Sequence, residues 1–272
     1  YGNGQAERVL GDLLDKVIPR ADLVVATKAG VSRATGQRLV DVSRKALLDQ
    51  LDASLDRLDT DYVDLWQIHT WSDAVPPDET LGTLDYAVST GRARYAGVSN
   101  YGGWQTGYAV AHQHSASGRT PVVSTQMEYS LLQRGVEREV LPAAEALGIG
   151  VLAWSPLGRG VLTGKYRSGT PADSRAASPH FAGFVETYLD QSSRRVVEAV
   201  STAAEGLGVQ PLEVALAWVR AARCVTAALV GARTAAQLRG VLAGEDLSLP
   251  DEIRVALDEV SAPSVGYPER TD

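Results

Sequence analysis

One cysteine, one methionine, two phenylalanines and four lysines stand among 272 residues. Cys224 alone cannot close an internal disulfide, so a stapled secreted scaffold is excluded and a reducing cytoplasm is the expected setting. No apolar run reaches the roughly 18 residues that a membrane span needs, and no charged-then-apolar start suggests a signal peptide. No membrane partner is expected. Runs of cationic residues are missing as well: the net charge is −7 without a basic stripe, which argues against nucleic acid as the main partner. What remains is 44% hydrophobic and 22% charged, a composition that rules out disorder, collagen and coiled coil and suits a large α/β core. The chain starts at Tyr1 and its methionine is Met127, so the expectation is that an N-terminal portion is absent from the sequence.

Apolar strand-like runs alternate with amphipathic stretches. Strands are predicted over residues 23–27, 62–68, 95–98, 121–125, 149–154 and 225–230. Leu39, Val42, Ala46, Leu47, Leu51, Leu55 and Leu58 recur at intervals of three and four, one face of a long helix. Further helices are predicted over 78–90, 104–111, 136–147, 192–207, 211–222, 234–242 and 251–260, with Gly91 and Gly148 as stops. Residues 157–189, rich in Gly, Ser and Pro, break the rhythm.

Nearly continuous apolar strands, each followed by a helix, indicate a parallel sheet covered by helices, either doubly wound or closed into a barrel. The positions of the polar residues decide between them. Lys28, His69, Ser99-Asn100, Gln126, Trp154-Ser155 and Gly231 each fall at the C-terminal end of a predicted strand, and side chains delivered by successive strands to one rim are the logic of a TIM barrel. No GxGxxG follows a strand, which leaves a Rossmann cofactor site unsupported.

Tyr1, Lys28 and His69 form a chemically meaningful set. A lysine ammonium beside a phenol stabilises the phenolate and makes the tyrosine a better acid. An imidazole can hydrogen-bond a carbonyl oxygen as negative charge grows there. Together they suit carbonyl reduction. The residues alone leave equally open a terminal tyrosine without a role, a solvated lysine and a strand-end histidine bonded to backbone. His112 and His114, two residues apart at a helix end, face apart and lack carboxylate company, so no metal is expected.

Longer words in the sequence carry a family likeness. Tyr1-Gly2-Asn3-Gly4, Val25-Ala26-Thr27-Lys28 and, above all, the stretch from Ser54 through Asp64-Leu65-Trp66-Gln67-Ile68-His69 resemble the aldo-keto reductase superfamily. Gly97-Val98-Ser99-Asn100-Tyr101, Gln126-Met127-Glu128-Tyr129-Ser130, Ala153-Trp154-Ser155-Pro156-Leu157, Leu162-Thr163-Gly164-Lys165-Tyr166 and Leu229-Val230-Gly231-Ala232-Arg233 with Gln237 continue the resemblance in collinear order along essentially the whole chain.

The resemblance implies an α/β fold, a TIM (β/α)8 barrel whose first two β/α units are missing here, so that residues 1–272 form a single barrel domain without its N-terminal portion. It implies an NADPH-dependent reductase of aldehydes or ketones, of alcohol-dehydrogenase type, with a small-molecule carbonyl substrate. Tyr1 would be the general acid, Lys28 its pKa-lowering neighbour and His69 the carbonyl-orienting group; the family's catalytic Asp, a few residues before the tyrosine, lies outside this sequence. Ser99, Asn100 and Gln126 would bond the nicotinamide carboxamide and Trp154 would stack on its ring. Ser155, Leu157, Gly158 and Gly160 would wrap the pyrophosphate, with Pro156 and Gly231 in the same cofactor set. Lys165 and Arg175 resemble the cofactor-clasping segment of the potassium-channel β-subunit branch and its bacterial relatives. Arg233 and Gln237 would sit at the adenosine 2′-phosphate. Where many relatives carry Glu-Asn for the adenine, this chain has Gly240-Val241, which leaves strict NADPH preference less secure.

Trp66, Trp71, Tyr101, Trp104 and Tyr129 lie near motif ends; Trp71 and Tyr101 are the preferred pocket-lining residues, and ordinary packing explains Trp66 and Trp104 equally well. Two alternatives stay open: a cofactor-binding regulatory subunit of the channel type, and a keto-sugar reductase of a biosynthetic pathway. His69, where the channel-binding branch carries another side chain, leans toward an enzyme. The excess of arginine over lysine hints at a GC-rich bacterial source.

Overall fold

Parallel strands and helices make up most of the computed structural model, which describes residues 1–14, 16–33, 36–179, 181–263 and 266. Two compact units divide the chain, one made of Tyr1–Gln126 and Pro142–Gly150, the other of Met127–Leu141 and Val151–Asp272. Among the described residues no helix is long and apolar enough to cross a membrane.

In the first unit, β1 (Ala26–Ala29), β4 (Val63–Ile68), β5 (Ala93–Ser99) and the start of β6 (Val122–Glu128) pair in parallel in that order. Residues in register on parallel strands send their side chains to the same face. Lys28, Gln67, Gly97 and Ser124 therefore share one layer, and Ser99 and Gln126 fall in register one layer further along. A short antiparallel pair, β2 (Val31–Ser32) with β3 (Leu39–Val40), follows β1.

Helix α2 (Arg44–Leu58) packs on β1 and α3 (Pro77–Ser89) on β5, and α4 (Gly103–His114) packs on α3. The buried stripe of α2, Leu47, Leu51, Leu55 and Leu58, follows the three-and-four spacing, but the helix begins five residues later than Leu39. Ser43 caps it by accepting from the Ala46 N–H at 3.4 Å, and Asp41 accepts from the Ser43 N–H at 3.0 Å. These side-chain bonds satisfy first-turn donors and fix the start, leaving Leu39 in β3. A helix with no counterpart in the sequence reading, α1 (Gln5–Gly11), packs on α2. Gly11 permits the approach, since a Cβ there would lie 2.8 Å from the Arg57 and Leu58 backbone.

In the second unit, β7 (Gly150–Trp154) pairs in parallel with β8 (Val225–Leu229). Helix α5 (Val140–Leu147), most of which belongs to the first unit, precedes β7 in the chain, and the short α6 (Ala182–Glu186) of the second unit follows it. Helix α7 (Gln191–Leu207) packs against α8 (Pro211–Arg220) and α10 (Asp251–Val260), and α9 (Ala235–Ala243) packs on α8. Repeated β/α units of this kind place the chain in the α/β class of the TIM barrel.

Candidate functional site

The C-terminal ends of β4, β5 and β6 are stitched together by polar side chains. Asn100, in the left-handed region at φ 55°, donates to the His69 carbonyl at 2.9 Å and to Ser99 Oγ at 3.1 Å. The Ser99 hydroxyl donates to the Gln126 carbonyl at 2.9 Å, and the Asn100 N–H reaches the same carbonyl at 3.0 Å. Asparagine tolerates a positive φ better than other side chains, so the residue that bends the chain also cross-links it.

Tyr1, Lys28 and His69 lie together at this edge. Tyr1 Oη is 3.4 Å from His69 Nε2. Lys28 Nζ lies 5.4 Å from the centre of the tyrosine ring and donates to Gln126 Oε1 at 3.3 Å. Burial first, then the positive charges of Lys28, Arg38 and Arg33, push the His69 imidazole down to about 4. His69 is therefore neutral near pH 7, with one N–H to give. Burial also lowers the Lys28 ammonium, against the charge of Glu7, which raises it. The Tyr1 phenol is pushed up rather than down by desolvation; with the residue 75% exposed, that push is modest, and it keeps the phenol protonated.

Glu7 is a member of this neighbourhood that sequence reasoning missed. It accepts from Thr27 Oγ1 at 2.6 Å and from Arg57 Nε at 2.7 Å. Burial would raise its carboxyl, but bonds from Thr27, Arg57 and Ser54 outweigh it and hold the group below the usual range. The acidic residue in the first turn of α1 was the available signal, invisible because seven residues are too few to show a period.

Two residues beyond His69, Trp71 forms an aromatic cluster. Its ring meets Tyr101 and Trp104 edge-on, each at 5.2 Å between centroids, and its Nε1 donates to Asp73 at 2.7 Å. Tyr101 is buried behind it, whereas Trp104 is 63% exposed. Trp66 and Tyr129 belong to the core, fully or almost fully buried.

In the second unit Trp154 ends β7 and the chain turns sharply. Ser155, Gly158, Arg159 and Gly160 all have positive φ, between 53° and 95°. The Gly158 and Gly160 N–H groups close this turn on the Ser155 and Leu157 carbonyls, at 2.9 Å each. Those glycines therefore contribute room rather than free donors. A Cβ at Gly158 would lie 2.7 Å from Leu132, and one at Gly160 would lie 3.2 Å from Lys165 Nζ. The Lys165 ammonium beside Gly160 is a cation suited to pair with a phosphate. Beyond β8, Gly231 is exposed. Arg233 donates from Nη2 to the Asp173 carbonyl at 2.7 Å, two residues before Arg175, and its N–H reaches Gln237 Oε1 at 2.8 Å.

Comparison with known proteins bears on the chain as a whole. The model of the Aldo/keto reductase family matches residues 1–262. The chain is 34% identical to a probable voltage-gated potassium channel subunit beta of Oryza sativa subsp. japonica, over all of this chain and 83% of that protein. It is 34% identical to an L-glyceraldehyde 3-phosphate reductase of Escherichia coli O157:H7, over 94% of this chain and 75% of that protein. To the aldo-keto reductase dtxS3 of Metarhizium robertsii it is 30% identical, over 97% and 76% of the two chains.

Proposed function

Because the chain belongs to the aldo/keto reductase family, we propose that it reduces aldehydes or ketones to alcohols with NADPH, Tyr1 serving as the general acid. The observation that carries this reading is the approach of Tyr1 Oη to His69 Nε2 at 3.4 Å with Lys28 Nζ beside the ring. A neutral His69 donates its N–H to the substrate carbonyl and orients it. Tyr1 gives its proton to the same oxygen, and Lys28 steadies the phenolate left behind.

When bound, NADPH supplies the hydride. Ser99, Asn100 and Gln126 would hold its carboxamide and Trp154 its nicotinamide ring. Ser155, Pro156, Leu157, Gly158 and Gly160 would surround the phosphates, with Lys165 pairing to them, and Gly231, Arg233, Gln237 and Arg175 would lie at the adenosine end. Trp71 and Tyr101 would line the substrate side. Residues 1–272 would act as one barrel domain, in a cytoplasm that keeps Cys224 reduced.

Tyr1→Phe tests the assignment. Turnover should fall by at least about 10²-fold, the scale of lost general acid catalysis, with NADPH affinity unchanged; retained turnover would remove Tyr1 from the role. The likeness to channel β subunits favours a second reading, a cofactor-binding regulatory protein. Steady-state NADPH oxidation over a panel of aldehydes separates the two, since a regulator would bind the cofactor and turn over negligibly.

A further inference from the structure

Arg159 is the residue in the Gly158–Gly160 turn that chemistry would nominate as a phosphate ligand, and its side chain is committed elsewhere. It stands between two glycines at φ 59°, ψ 21°, a conformation that side chains other than Gly and Asn seldom adopt. Its Nε and Nη2 donate to the two carboxylate oxygens of Glu128 at 2.8 and 2.7 Å. Its Nη1 donates to the Phe184 carbonyl in α6 at 2.6 Å. The guanidinium lies 3.7 Å from the Phe184 ring centre and 4.8 Å from that of Tyr188. The Tyr188 hydroxyl donates to Glu128 at 3.0 Å and accepts from Gln133 Nε2 at 3.5 Å. Burial, with the Glu128 charge beside it, pushes the Tyr188 phenol up to about 12, so it remains a donor. Both ends of the ion pair are mostly buried, with side chains 12% and 14% exposed.

We propose that Arg159 is a positioning residue: its bidentate pairing with Glu128, beside the rings of Phe184 and Tyr188, holds the 157–160 turn in its left-handed form against Lys165, and its guanidinium is not a phosphate ligand. The inference rests on the reading of that turn as the cofactor's phosphate seat. A planar fork bound through two parallel N–H···O bonds fixes orientation as well as distance. Tied in this way at the end of β6 and to α6, the backbone keeps a shape that arginine on its own would leave.

Two variants give opposite signs for the rival roles. Glu128→Gln replaces one acceptor oxygen with an NH2 group and releases the guanidinium. If Arg159 bound phosphate, NADPH would bind more tightly; under the tether, its dissociation constant rises. Arg159→Ala should weaken NADPH binding by at least about tenfold, the scale on which a buried, hydrogen-bonded charge pair is lost. Arg159→Gly should fall in between, because glycine accepts the positive φ but not the tether. Binding is read by tryptophan quenching on NADPH addition, without turnover.

Hydrogen exchange over residues 157–163 and 182–188 supplies a readout that needs no cofactor. Exchange there should quicken in Arg159→Ala and be only partly restored in Arg159→Lys, which keeps the charge but not the planar fork. Unchanged exchange and unchanged NADPH affinity in Arg159→Ala, or tighter binding in Glu128→Gln, would overturn the tether. If the unsubstituted protein fails to bind NADPH while exchange quickens in Arg159→Ala, the cofactor reading falls and the tether stands as a structural strut.

Discussion

Gly97→Ala is the smallest change that should disturb the candidate site from within the sheet. The register joins Gly97 to Gln67 of β4 and to Ser124 of β6, and it slips by one residue between Ala96 and Gly97. An added Cβ would lie 2.6 Å from Ser124 Oγ, 3.0 Å from the Ser124 carbonyl oxygen and 3.2 Å from Gln67 Cγ. Glycine in a strand marks a bulge or a close backbone approach, and here both apply. Ser124 Oγ is buried without a hydrogen-bond partner and can rotate away at small cost. The carbonyl oxygen cannot retreat without parting β5 from β6. Overpacking of this kind costs roughly 1–3 kcal/mol, and the immobile backbone contact places the change at about 2–3. At about 2–4 °C per kcal/mol for a chain of this size, the unfolding midpoint should fall by roughly 4–12 °C. Differential scanning calorimetry measures the shift, and the pair Gly97→Ala with Ser124→Ala apportions it: removing Oγ should restore less than half. A midpoint within about 1 °C of the parent would refute the reasoning. Complete rescue by Ser124→Ala would show that the side chain, not the backbone, sets the limit.

His69 should titrate near pH 4 by NMR, as its burial and cationic neighbours require. Unfolded histidine binds a proton near 6.5, so between those values the unfolded state holds more protons and stability falls as pH drops from 6.5 to 4; an ordinary midpoint for the His69 resonance would contradict the arrangement. Asp190 caps α7 by accepting from the Ser193 N–H at 2.7 Å, so Asp190→Ala should cost about 1 kcal/mol in urea unfolding at neutral pH. That bond holds the Asp190 carboxyl below its ordinary value, so the cap is intact above the unfolded pKa and is lost as pH falls through the folded one. Equal destabilisation by Asp190→Ala at pH 7 and at pH 2 would count against it.

Much of this arrangement was legible in the residues, for reasons that also mark where reading stops. The stripe Leu47, Leu51, Leu55 and Leu58 is long enough to declare a period, and the predicted 251–260 helix matches Asp251–Val260. Leu39 and Val42 share the same spacing by coincidence, because periodicity cannot see a cap such as Ser43. The first strand was placed over 23–27 from its apolar run, but Val24 is 83% exposed and β1 runs from Ala26 to Ala29; Lys28 consequently lies inside β1 rather than after it. Site residues at strand ends stand out in a sequence because polar side chains interrupt apolar runs. Glu7 and Arg159 do not, since their significance lies in partners 50 and 31 residues away, Arg57 and Glu128. Trp104, divided between packing and pocket by its spacing alone, stands out from α4 against Trp71.

The edge-on cluster of Trp71 with Tyr101, Trp104 and Tyr108 has a spectroscopic consequence. Indoles and phenols fixed at steep mutual angles couple their transitions, and a rigid chiral array of this sort contributes to near-ultraviolet circular dichroism that vanishes when packing loosens. Trp71 stands two residues from His69 in the chain, so the molecule carries an intrinsic chromophore next to the candidate site. A solute settling against that ring alters its dichroism and emission without any label attached.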